Sequence, residues 1–152
     1  ATAFFSIDVD GDGDVDALSA SYEDDTVAWY ENDGSRSFTR RVITDSANNA
    51  RSVFAIDLDG DGDVDALSAG EAISWYENDC EPFEPPPQTT CASVSFLERV
   101  VSTLANNVFS VFAADVDGDG DVDVLSAGGY SSESEVAWYE NDGSLSFTAR
   151  LI

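Results

Sequence analysis

An all-β fold made from three copies of one four-stranded unit is what this sequence predicts, and three observations carry it. A nine-residue acidic line recurs three times, from Asp8 to Asp16, from Asp57 to Asp65 and from Asp115 to Asp123. The segments around each line also recur, at periods of 49 and 58 residues, which marks a repeat architecture whose units bury their faces on one another. Finally, no stretch carries a 3.6-residue apolar period long enough for a helix.

Each unit opens with a short apolar segment: residues 3–7, 52–56 and 110–114. The acidic line follows, and then Ala17–Ala20, Ala66–Ala69 or Val124–Ala127 as a second strand. The third segment reads Val/Ile-x-Trp-Tyr-Glu-Asn-Asp at 27–33, 73–79 and 136–142. The fourth runs over 37–43, 95–101 and 146–152. β-Branched and aromatic residues fill the segments, while Gly, Asn, Asp and Ser fill the gaps. Asn32-Asp33-Gly34 and Asn141-Asp142-Gly143 predict hairpin turns between the third and fourth strands, since glycine supplies a positive φ.

In the third strand Val27 and Trp29 face one way, Ala28 and Tyr30 the other. Both faces are apolar, so the sheet needs cover on both sides. Sheets stacked radially meet that need, as in a β-propeller. The expected units span about 1–44, 50–102 and 108–152 within one repeat domain covering 1–152. Three blades fall short of the four to eight that close a propeller, leaving end faces that favour association. A ring of two chains, a fibre and a fragment of a longer propeller all fit, with self-assembly favoured.

Each acidic line packs five carboxylates into nine residues, and the three lines hold fifteen of the 31 acidic residues. Such density is costly without a counter-charge, and a hard divalent cation with oxygen ligands supplies it. Asp8, Asp10 and Asp12 are spaced to converge from a tight loop, with Gly13 allowing the sharp turn. Asp14 is expected to offer its backbone carbonyl and Asp16 to close the shell. The same roles fall to Asp57, Asp59, Asp61, Asp63 and Asp65, and to Asp115, Asp117, Asp119, Asp121 and Asp123. Three Ca2+ sites are therefore expected, with Mg2+ the lesser candidate because it demands stricter octahedral geometry. The EF-hand pattern fails, because position twelve is Ser19, Ser68 or Ser126 and the flanks are strands. Direct tandem calcium nonapeptides fail too, because these loops lie about 50 residues apart.

The line Asp-x-Asp-Gly-Asp-Gly-Asp-x-Asp between short strands, with Trp-Tyr-Glu-Asn-Asp-Gly after it, resembles the FG-GAP/VCBS type of repeat. That repeat is related to the calcium-binding blades of the integrin α-subunit β-propeller. The resemblance covers the whole chain outside the segment from Cys80 to Cys91. It implies propeller-like blades, a calcium ion in the loop joining the first two strands of each, and an extracellular setting. The Phe-Gly and Gly-Ala-Pro signatures are missing, so integrin-like ligand binding is not carried over.

The formal charge is −25, and three calcium ions would still leave about −19, which opposes nucleic acids and anionic membrane surfaces. No apolar run approaches the roughly 20 residues of a membrane-crossing helix. The absence of an initiator Met reads as a processed form or a piece of a longer chain. Cys80 and Cys91 enclose ten residues with Pro85–Pro87 among them, which suits a disulfide on a surface loop in an oxidising compartment. Thr89 and Thr90 are candidate O-glycosylation positions on composition alone. The segment is read either as a specificity or assembly element or as a decorative loop.

Three functions follow in order of fit. The first is an extracellular or cell-surface structural or adhesive module, with copies of itself or further blades as partners. The second is a ligand- or glycan-binding propeller fragment, with Trp29, Trp75, Trp138, Tyr22 or Tyr130 as stacking platforms; blade-core packing suits the three tryptophans better. An enzyme fits least: there is no histidine, lysine or nucleophile elbow, and the carboxylates come in three equivalent sets.

Overall fold

The computed structural model describes residues 1–82, 91–104, 107–129 and 135–152, without the side chains of 81, 82, 92 and 151. It holds three four-stranded antiparallel sheets and, among the described residues, no helix. The first sheet runs β1 (Ala3–Ile7), β2 (Asp16–Ser21), β3 (Thr26–Asn32) and β4 (Phe38–Thr44). The second runs β5 (Ser52–Ile56), β6 (Asp65–Ala69), β7 (Ile73–Pro82) and β8 (Cys91–Ser102). The third runs β9 (Val108–Ala114), β10 (Asp123–Gly128), β11 (Glu135–Asn141) and β12 (Phe147–Leu151). In every sheet the strands neighbour one another in chain order, the meander that short connections enforce.

Pleating sends alternate residues to opposite faces, and the two faces bury different partners. Leu18, Ala20, Val27 and Trp29 of the first sheet share one apolar cluster with Val53, Ala55, Ala66 and Tyr76 of the second. The opposite face of the second sheet sends Leu67, Ala69, Ile73 and Trp75 into another cluster. There they meet Val111, Ala113, Val124 and Tyr139 of the third sheet. The units therefore stack in one sense, a Leu-Trp face against an Ala-Tyr face, twice over. All five residues of β6 are buried, as a strand covered on both sides requires.

The first strands lie side by side and carry an aromatic ladder. Phe54 sits 4.8 Å from Phe5 and 4.7 Å from Phe112 between ring centroids, in tilted geometry. Each third strand also faces an arginine of the fourth: Trp29 opposite Arg41, Trp75 opposite Arg99 and Trp138 opposite Arg150. The guanidinium lies 5.5–5.6 Å from the indole centroid and is held there by Glu31, Glu77 or Glu140.

The β3–β4 connection is longer than a minimal hairpin. It spans residues 33–37 and closes with the Asp33 N–H donating to the Ser37 carbonyl. In the second unit the hairpin grows instead: β7 and β8 keep pairing out to Pro82 and Cys91. A disulfide joins Cys80 to Cys91 with Cα atoms 5.2 Å apart. Pro85–Pro87, Thr89, Thr90 and Tyr130 lie outside the described residues.

The stacking assigns different costs to one repeat position. Ile73 is wholly buried between two sheets, so Ile73→Ala is expected to cost about 2–5 kcal/mol in urea unfolding. Val136, its counterpart in the third sheet, is 44% exposed, and Val136→Ala is expected to cost less than about 1 kcal/mol. Equal costs would contradict the one-sided stacking.

Candidate metal centres

Each acidic line forms the loop between the first and second strands of its sheet. The glycines let the loop fold back on itself; Gly13, for instance, has φ +94°, which a side chain would strain. Position-one aspartates then organise the turn from within. Asp8 accepts hydrogen bonds from the Gly11 and Gly13 N–H groups at 2.8 and 2.9 Å. Asp57 does so from Gly60 and Gly62, and Asp115 from Gly118 and Gly120. Asp10 and Asp12 each accept from the N–H two residues on.

Position nine is different in kind. Asp16, Asp65 and Asp123 are almost wholly buried. In each, one carboxylate oxygen accepts from the loop at 2.9 Å: from the N–H of Val9, Leu58 or Val116. The other accepts at 2.8 Å from the N–H of Asn32, Asn78 or Asn141 at the end of the third strand. That asparagine answers with its own amide, donating to the carbonyl of Val15, Val64 or Val122. Loop and strand end are thus tied from both directions. Spacing alone predicts a ligand role for position nine and a turn role for the asparagine; the structure adds the latch between them. The asparagine's recurrence in all three Glu-Asn-Asp triplets was the available signal.

Position seven turns away from the loop. The Asp14 and Asp121 carboxylates reach the β3–β4 and β11–β12 turns, so close that a Cβ on Gly34 or Gly143 would lie 2.3 or 2.6 Å from an oxygen. Glycine there serves both a positive φ and this approach. In the second unit Cys80 occupies the place of the glycine, and its N–H donates to Asp63 at 3.2 Å.

Among the described residues, three groups of carboxylates bring an oxygen each within 4.8 Å of one another: Asp8, Asp10 and Asp16; Asp57, Asp59 and Asp61; Asp115, Asp117 and Asp123. Oxygens around a calcium ion sit at about 2.3–2.6 Å from it, so ligands across the ion are about 5 Å apart. The all-oxygen donor set and its spacing fit such an ion. Positions one and three belong to every group; Asp12, Asp65 and Asp119 lie outside them, as do Asp14, Asp63 and Asp121 at position seven.

Electrostatics points the same way. Burial pushes Asp10 up to about 6, with repulsion from Asp12, Asp16 and Asp8 adding to it. Burial likewise pushes Asp65 up to about 7 against its backbone hydrogen bonds, and raises Asp59, Asp63 and Asp117. These carboxylates resist ionising alone, and a cation in their midst reverses that preference.

The sites are not equivalent. The lengthened second hairpin leans on the first loop, where the Cys91 N–H donates to the Asp10 carbonyl at 2.9 Å. Val94 and Phe96 of β8 cover the first cluster beside it. Of the aromatic candidates, Trp29 and Trp75 are buried, each under its arginine, and Trp138 is half-buried. Tyr22 is exposed, with the Arg51 guanidinium 4.5 Å from its ring centroid.

The family model of the FG-GAP-like repeat matches residues 8–68 and 115–152, well over half of the chain. The chain belongs to the FG-GAP-like repeat family. The matched stretches contain all three acidic loops and their position-nine aspartates. FG-GAP repeats commonly bind calcium and are typical of extracellular proteins. No curated protein and no solved structure matches the chain. No helix among the described residues is long and apolar enough to cross a membrane.

Two outcomes test this geometry. Asp65→Asn replaces one of two accepting oxygens with a donor facing a buried N–H, and is expected to cost about 2–4 kcal/mol in denaturant unfolding under chelator. The raised Asp10 and Asp65 groups stabilise the calcium-free fold at low pH. That contribution fades as pH rises through about 6 to 7. In EDTA the melting temperature should therefore fall between pH 5 and pH 8, and saturating calcium should abolish or invert the fall.

Proposed function

We propose that this chain is a secreted, non-catalytic structural or adhesive module whose three FG-GAP-like blades are each braced by a calcium ion and which associates with copies of itself. The observation that carries the reading is the threefold recurrence of a carboxylate cage built on positions one and three of the acidic line. Each cage sits between the first two strands of a sheet and is locked to the end of the third strand. Asp8, Asp10 and Asp16 would hold the first ion, Asp57, Asp59 and Asp61 the second, and Asp115, Asp117 and Asp123 the third. Bound calcium supplies positive charge that cancels repulsion among the loop carboxylates. Their protein-side work is to fix the loop and, through the buried aspartate, the sheet behind it.

The disulfide supports an oxidising, extracellular location. Three acidic loops of one repeated pattern, rather than one asymmetric constellation, support structure over catalysis. The glycan-binding alternative loses two of its three indole platforms, because Trp29 and Trp75 are enclosed by the blades and by Arg41 and Arg99.

Isothermal titration of chelator-stripped protein with CaCl2 is expected to show about three sites, with a rise of well over 10 °C in melting temperature on saturation. Heat-free titration with an unchanged melting curve would remove calcium from the account. A glycan array with no hits, beside calcium-dependent assembly in light scattering, would separate the structural reading from the ligand-binding one.

A further inference from the structure

The two internal contacts between sheets are the same contact made twice, and each leaves an unmatched half at one end of the stack. The outer face of the first sheet repeats the Ala-Tyr face of the other two, and among the described residues no other sheet packs on it. Phe4 there is 79% exposed, whereas Val53 and Val111 at the same repeat position are 5% exposed. Val15 and Phe38 are exposed on the same face. Their counterparts Val64 and Phe96, and Val122 and Phe147, pack against the internal clusters.

The outer face of the third sheet is the complementary half. Val136 is 44% exposed, where Val27 and Ile73 are fully buried. Val116 is 44% exposed, where Val9 and Leu58 are buried, and Phe112 ends the aromatic ladder 53% exposed. These six residues make up almost half of the large hydrophobic side chains left exposed among the described residues. They fall on the two faces that the repeat pattern marks as halves of a known contact.

We propose that these faces meet head to tail: the Leu-Trp face of one copy's third sheet packs on the Ala-Tyr face of the next copy's first sheet. The contact continues an interface already built twice within the chain, and its occupant is a second copy because both halves belong to one sequence. Phe112 then stands to the neighbour's Phe5 as Phe54 stands to Phe112 within one chain, extending the ladder across the junction. Such a contact is heterologous, so the chains close into a ring or grow into a filament according to the rotation per unit. This inference rests on the self-association proposed above and specifies its geometry.

The test uses two variants in calcium, Phe4→Asp on one face and Val136→Asp on the other, both at positions exposed in the single chain. Light scattering of the wild type should show association, each variant alone should be monomeric, and an equal mixture should give one-to-one pairs that grow no further. That last result is specific to a two-faced contact, because each variant keeps one intact half. As a measurement less dependent on these substitutions, Phe5→Cys and Phe112→Cys proteins should cross-link through a short bis-maleimide when mixed. Neither should cross-link to itself. Variants that still associate like the wild type, or Phe112→Cys cross-linking to its own kind, would overturn the faces while leaving self-association standing. A wild type that binds calcium yet stays monomeric would overturn both, and leave the faces to further blades of a longer polypeptide.

Discussion

A carboxylate sunk in apolar surroundings organises each unit of this protein. Asp16, Asp65 and Asp123 receive an N–H from the acidic loop on one oxygen and an N–H from the end of the third strand on the other. Burying an ionisable group without partners is expensive, and two backbone donors per carboxylate offset that cost. The arrangement joins segments about sixteen residues apart in blade one and sets where the loop stands relative to the sheet. Without it the loop carboxylates would have no fixed platform, and the spacing that fits a divalent ion would not be held.

The second constraint is the alternation of strand faces. Each unit offers one face rich in Leu and Trp and another of Ala, Ser and Tyr, and only unlike faces are packed together. Small residues on one side accept the indole from the other, so the stack has a direction. The arginine over each indole seals the outer edge of this packing. Its glutamate partner keeps the guanidinium in place, though an exposed pair of this kind adds little stability by itself.

Much of this was legible before any coordinates, because the repeat states each element three times. Strand order, the acidic loops, the two-faced third strand and the cysteine pairing all follow from local pattern and spacing. What stayed hidden depends on long-range register. Nothing local says that Asp14 reaches over to Gly34, or that the Asn32 amide returns to the Val15 carbonyl; both need the third strand laid beside the second. The arginine-indole pairs were equally silent, since Trp29 and Arg41 become neighbours only through antiparallel pairing. Nor could spacing alone show which aspartates of each line latch the third strand and which brace the turn, since all look identical in sequence.

Near-identical repeats carry a hazard of their own: a strand from one unit can pair with the counterpart of another and trap the chain in a domain-shuffled state. The overhanging hairpin of the middle unit works against that degeneracy. Its Cys91 amide finds the Asp10 carbonyl only when the second unit docks on the first, and neither the first nor the third unit has an equivalent arm. A shuffled arrangement would strand that arm in water with Val94 and Phe96 uncovered. This departure from threefold regularity thus acts as a key that tells otherwise similar parts which of them is in the centre.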